Sequence, residues 1–150
     1  MITSTSNQQM KNISSLMKKS KERRNSKTFV VEGPRMVIET PVDKLKGVYV
    51  SEGFAQNTDN KGILKEIQDK CTQANAIYEV VADNVFKSVS DTQTPQGIMA
   101  VVAMPEYSLE DLMAGDKSHL LILESIQDPG NLGTMVRTGE GAGVTGIFMN

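Results

Sequence analysis

Four aliphatic residues in a row, Leu120-Leu121-Ile122-Leu123, run through Glu124-Ser125-Ile126-Gln127 into Asp128-Pro129-Gly130-Asn131 and on to Leu132-Gly133-Thr134-Met135-Val136-Arg137-Thr138. No other stretch narrows the fold so far. The apolar run predicts a strand covered on both faces. The Asp-Pro-Gly-Asn cluster predicts a turn. Met135, Val136, Arg137 and Glu140 then carry the chain into a helix that ends near Gly141 or Gly143, because glycine commonly follows a helix end. Val144 to Asn150 reads as a further strand. Polar groups after a parallel strand lie where open α/β sheets bind ligands. A single strand–helix–strand of about 30 residues cannot cover its own apolar faces. It has to pack on the preceding part, pair with another chain, or continue past Asn150, and continuation is the expectation.

The first 104 residues alternate helix and strand signals, as a compact α/β domain requires. Ser6 and Gln9 suggest a capping box. Met10, Ile13, Leu16 and Met17 then recur at helical spacing, with Lys11, Lys18 and Lys21 roughly opposite and Arg23-Arg24-Asn25 where the helix frays. Lys27 to Val31 is a β-rich strand. Pro34 suits a helix start, and a short helix over Met36–Glu39 breaks at Pro41. Strands follow at Gly47–Val50 and Ala76–Val80, separated by a helix over Lys61–Gln73 with Ile63, Leu64, Ile67 and Cys71 inward. Ala82 to Val89 is helical, Ser90 to Gly97 a polar loop, and Ile98 to Met104 a fully buried strand. The connector 105–118 carries a one-turn helix around Leu109–Met113 and a polar end, Asp116-Lys117-Ser118.

Nine methionines and no tryptophan imply an aliphatic, Met-filled core. The lone Cys71 fits a reducing, cytoplasmic setting and reads as a core residue. Ile98–Met104 is too short to span a bilayer, and no apolar segment follows the basic N-terminus as a secretory signal would require. Charge is unevenly placed. Residues 1–35 hold eight basic and two acidic side chains, net +6; the other 115 hold eight basic and sixteen acidic, net −8. A basic block on an acidic chain suggests an anionic partner, nucleic acid first, or else a solvated helix face. Within it Lys11, Lys18, Lys19, Arg23, Arg24 and Arg35 are the candidate RNA-binding residues. Arg35, near a helix start, either helps hold a phosphate or pairs with Glu32 or Glu39.

Asn131-x-Gly133-x-x-x-Arg137-Thr138, preceded by Leu121-Ile122-Leu123-Glu124 and Asp128-Pro129, closely resembles motif 1 of the SpoU (TrmH-like) branch of the SPOUT RNA methyltransferases. Lys18-Lys19, Arg23-Arg24 and Phe29-Val30-Val31-Glu32-Gly33-x-Arg35 are similar to the start of that family's L30e-like substrate-binding domain, and Thr94-Pro95-Gln96-Gly97 to its close. The resemblance implies a three-layer α/β/α RNA-binding domain over 1–104, a linker over 105–118, and the start of a trefoil-knotted methyltransferase domain over 119–150, the knot being an exception to the usual rule. It implies a homodimer that transfers a methyl group from S-adenosylmethionine to a ribose 2′-hydroxyl of rRNA or tRNA. The family's two later motifs, which hold the cofactor, have no counterpart here. The expectation is therefore a fragment with RNA binding and no cofactor-binding residues.

By family position Arg137 is tied to activating the hydroxyl. A guanidinium that stays protonated is a poor base, so a phosphate clamp and electrostatic stabiliser is the better role. Asn131 is either a turn-forming or capping residue or contacts RNA. Glu124 is either a partner for Arg137 or a direct participant. No metal is needed, and His119 reads as structural or exposed. Three other readings remain: a non-enzymatic L30e-like RNA-binding protein, a fragment that only dimerises, and a nucleotide-binding α/β enzyme, although Gly130 and Gly133 do not make G-x-G-x-x-G.

Overall fold

The computed structural model describes residues 1–115 and 117–150, and the chain divides into two compact units, Met1–Pro105 and Glu106–Asn150. Asp116, at the polar end of the expected connector, lies outside the described residues.

The first unit is built on a four-stranded sheet of β1 (Thr28–Glu32), β2 (Leu45–Ser51), β3 (Ile77–Val81) and β4 (Ile98–Ala103), in the order β1-β4-β2-β3. β4 runs antiparallel to both its neighbours, and β2 pairs parallel with β3. That inner position explains the unbroken apolar run of β4, whose residues Ile98 to Val102 are all buried. Side chains alternate across the sheet with the period of two that a strand imposes. On one face Met99, Val101 and Tyr49 meet Met10, Ile13 and Leu16 of α1 (Gln8–Lys18), with Val85, Phe86 and Val89 of α6 (Asp83–Val89) in the same core. On the other, Ile98, Ala100, Val102, Val48 and Val50 meet Val37 of α3 (Pro34–Glu39) and Leu64, Ile67 and Cys71 of α5 (Lys61–Ala74). The result is the expected three-layer α/β/α arrangement. Burial pushes the Cys71 thiol up, in keeping with a core role.

Local details depart from the sequence reading. Asn7, not Ser6, caps α1: its side chain accepts the Gln9 amide at 2.8 Å and the Met10 amide at 3.4 Å, while Ser6 hydrogen-bonds Ser4. The basic stretch does not fray. The chain breaks at Lys19, in extended backbone, and resumes as α2 (Ser20–Ser26). Arg23 stabilises the break by donating from Nη1 to the carbonyls of Leu16 (2.7 Å) and Met17 (3.1 Å), which the end of α1 leaves unsatisfied. A short helix α4 (Glu52–Gln56) had no apolar periodicity to announce it. Ile2 adds a parallel bridge beside β3, giving its amide to Val80 and accepting that of Ala82.

The second unit contains α7 (Leu109–Met113), β5 (Leu120–Leu123), α8 (Pro129–Gly141) and β6 (Gly146–Met149). β5 and β6 pair in parallel from Leu120↔Gly146 to Leu123↔Met149, joined by α8 as a crossover. Ser108 and Asp111 form a capping box at α7, and those hydrogen bonds hold the Asp111 carboxyl below its usual range. Leu112 seats against Gly146, so the stretch expected as a linker packs on this small sheet. Two expectations are overturned. β5 is not covered on both faces: Leu123 is buried, but Ile122 is 76 % exposed beside Phe148, because a two-stranded sheet with one long helix has a bare side. And α8 begins at Pro129, six residues before the apolar spacing suggested. It ends at Gly141, with Gly143 in the left-handed region just beyond.

Gly97 adopts φ +78°, and an added Cβ would lie 2.8 Å from the Phe54 Cβ and 3.1 Å from the Ser51 Oγ. Gly97→Ala should therefore destabilise the unit by about 1–3 kcal/mol. Gly62, in α5, has open space around it, and Gly62→Ala should stabilise by about 0.4–1 kcal/mol. Urea unfolding should give these opposite signs.

Candidate functional site

The strand–turn–helix of the second unit depends on one carboxylate. Asp128 stands just before α8, and its Oδ2 accepts the Asn131 amide at 2.7 Å. Pro129 follows at the first helical position, where its missing N–H costs nothing. The turn residues Pro129, Gly130 and Asn131 are thus the first turn of the helix. Asn131 neither forms a turn nor caps; Asp128 caps, and the Asn131 side chain is exposed on the helix. The Asp-Pro pair in the sequence carried this signal.

Arg137 lies back along the helix toward its N-terminus. Its Nη2 donates to Thr134 Oγ1 at 3.3 Å, and Thr134 in turn donates to the Gly130 carbonyl at 2.9 Å. It passes close to Gly133, one turn earlier, where an added Cβ would stand 3.2 Å from Nη1. The guanidinium is exposed, and among the described residues no ion pair joins it to Glu124 or to any other carboxylate. Glu124 is exposed immediately after β5. Next to it Ser125 takes a left-handed φ of 56° and donates its amide to Asn150 Oδ1 at 3.0 Å, tying the ends of the two parallel strands together. Glu124 and Asn150 border a shallow groove of about 270 Å³ with Ile122, Leu123, Phe148 and Met149. The side chain of His119 is exposed, and its backbone exchanges hydrogen bonds with Thr145.

The six basic residues expected to bind RNA, all in the first unit, do not form one cluster. Lys11, Lys18 and Lys19 border one cleft between α1 and α6. Arg24 is exposed on α2, whereas Arg23 is committed to the end of α1. Arg35 is engaged with Glu39 at 2.9 Å, which pushes its guanidinium up further; Glu32 instead accepts from Ser90, Thr92 and the Gln96 amide. Of the two readings of Arg35, the salt bridge is the one observed. Among the described residues no helix is long and apolar enough to cross a membrane.

Asp128→Ala should cost α8 about 0.5–2 kcal/mol. Hydrogen exchange should show faster turnover of the Asn131 amide, with amides of the first unit unchanged.

The architecture has counterparts among known proteins. The MRM3-like substrate binding domain matches residues 7–100. The chain is 36% identical to the 23S rRNA (guanosine(2553)-2′-O)-methyltransferase RlmP of Bacillus subtilis over 99% of this chain and 53% of that protein. A crystal structure of an RNA 2′-O ribose methyltransferase superposes with a TM-score of 0.66 at 27% identity, covering 99% of this chain and 54% of that one. An AdoMet-bound rRNA methyltransferase from Sinorhizobium meliloti has the same fold, with a TM-score of 0.78 at 24% identity over 99% of this chain and 53% of that one. The chain spans about half the length of each of these relatives. It belongs to the family of the MRM3-like substrate binding domain, alongside SpoU/TrmH-type rRNA 2′-O-methyltransferases.

Proposed function

We propose that the protein carrying this chain methylates a ribose 2′-hydroxyl of rRNA or tRNA, the unit over Met1–Pro105 holding the RNA and the strand–turn–helix of the second unit serving the reaction. The observation that carries this reading is Arg137: a permanent cation, exposed, with no carboxylate partner among the described residues. It lies on the helix that follows a parallel strand, where α/β sheets bind ligands. An unneutralised guanidinium there suits a phosphate or a developing alkoxide. Asn131, exposed on the first turn of the same helix, can hydrogen-bond the ribose or a base, and Glu124 at the strand end can accept from a hydroxyl.

S-adenosylmethionine would supply the methyl group as an electrophile. The groove at Ile122, Leu123, Glu124, Phe148, Met149 and Asn150 does not fit it whole: its lining is one carboxylate, one amide and four apolar side chains, and among the described residues no cation lines it for the cofactor's own carboxylate. The chemistry assigned to this chain is therefore on the RNA side. Arg137 draws the hydroxyl's electron density and holds the strand in line for attack. A cytoplasmic homodimer completes the reading, its cytoplasmic part supported by the single, buried Cys71.

The test is methyl incorporation from labelled S-adenosylmethionine into rRNA or tRNA by the intact gene product. Arg137→Ala should lower kcat by about 10²–10³ while RNA affinity changes little. Full activity in Arg137→Ala would contradict its role. RNA binding with no methylation of either RNA would favour the non-enzymatic L30e-like reading.

A further inference from the structure

The cleft between α1 and α6 has an unusual lining. Lys11, Ser14, Ser15 and Lys18 follow one another at helical spacing on α1 and share one face. Lys19 extends this face where the helix breaks, Thr5 borders it before the helix, and Ser88 faces it from α6. Met10 and Val89 complete the lining, and the volume is about 450 Å³. Three ammonium groups and four hydroxyls line it, and among the described residues no acidic or aromatic side chain does. α1 itself contains no Asp or Glu, whereas α5 intersperses Lys65 and Lys70 with Glu66 and Asp69. A merely solubilising helix face mixes signs in this second way.

We infer that this cleft is a seat for the sugar–phosphate backbone of RNA, read without regard to base sequence. The inference rests on the RNA-binding role proposed above and names where on the first unit that role is exercised. Ammonium groups neutralise phosphates and set the salt dependence. Hydroxyls of serine and threonine can both donate to phosphate oxygens and exchange hydrogen bonds with a ribose 2′-OH, the group that distinguishes RNA from DNA. With no aromatic side chain to stack a base, nothing in the lining reads sequence. Lys11 and Lys18 are separated by about 10 Å along the helix axis, the length of about three nucleotide steps in a stacked strand. The C-terminal end of α6 brings at most about half a negative charge, which three lysines outweigh. Neither Arg23, committed to two carbonyls, nor Arg35, paired with Glu39, belongs to the seat.

The experiment measures affinity of the 150-residue chain for a fluorescent RNA hairpin of arbitrary sequence across a series of salt concentrations. The three lysines are exposed, so the triple variant Lys11→Ala/Lys18→Ala/Lys19→Ala keeps the fold, checked by circular dichroism. It should flatten the slope of log K against log salt by about 2, equally for unrelated sequences. Arg35→Ala should leave the slope unchanged. Ser14→Ala/Ser15→Ala should weaken RNA more than DNA of the same sequence. If the wild-type chain binds RNA and the triple variant keeps its slope, the seat is elsewhere and the RNA-binding reading survives. If the wild-type chain binds no RNA, that reading fails and the seat with it.

Discussion

The first unit depends on β4. A strand that is apolar at every position from Ile98 to Val102 has no solvated side, so it can be stable only with pairing on both edges and packing on both faces. β1 and β2 provide the first, and the α1/α6 and α3/α5 layers provide the second. The core is aliphatic but not filled by methionine as expected: of the nine methionines only Met10 and Met99 are buried, side by side in one core, while Met1, Met36, Met113, Met135 and Met149 are exposed. The two layers are then free to differ outside. α1 carries basic side chains and no acidic one, whereas α5 mixes both signs, and that difference is what turns the α1 face toward an anionic partner.

The second unit follows a different economy. Its sheet has two strands, and a pair of strands with one long helix leaves Ile122, Phe148 and Met149 in the open. Its functional geometry is set locally instead. Asp128 fixes where α8 starts, the start fixes where Asn131 and Arg137 stand, and the guanidinium passes close to Gly133.

Much of this was legible because periodicity is strong evidence where burial is complete. β4, α5 and the apolar face of α1 stand where their patterns put them, and α7 was visible from Leu109 and Met113 alone. What escaped the sequence was decided by hydrogen bonds rather than by hydrophobicity. Asn7 and Ser6 are both capping residues by type, and the backbone chose Asn7. Arg23 looked like a hand for nucleic acid because its charge was visible; the unsatisfied carbonyls of Leu16 and Met17 that engage it were not. Ile122 looked buried because its neighbours in the sequence are apolar, but exposure of a strand is set by how many strands surround it. The beginning of α8 was placed late because its first turn, Pro-Gly-Asn, carries no apolar spacing, although Asp-Pro is itself a helix-start signal.

The central claim is that one helical layer of the first unit meets RNA and the other does not. Backbone amide chemical shifts of the 150-residue chain during titration with an RNA hairpin test it most directly. The account predicts perturbations concentrated from Thr5 through Lys19 and at Ser88, with the outer residues of α3 and α5 unmoved. Perturbations centred on α3 and α5, with α1 silent, would contradict it.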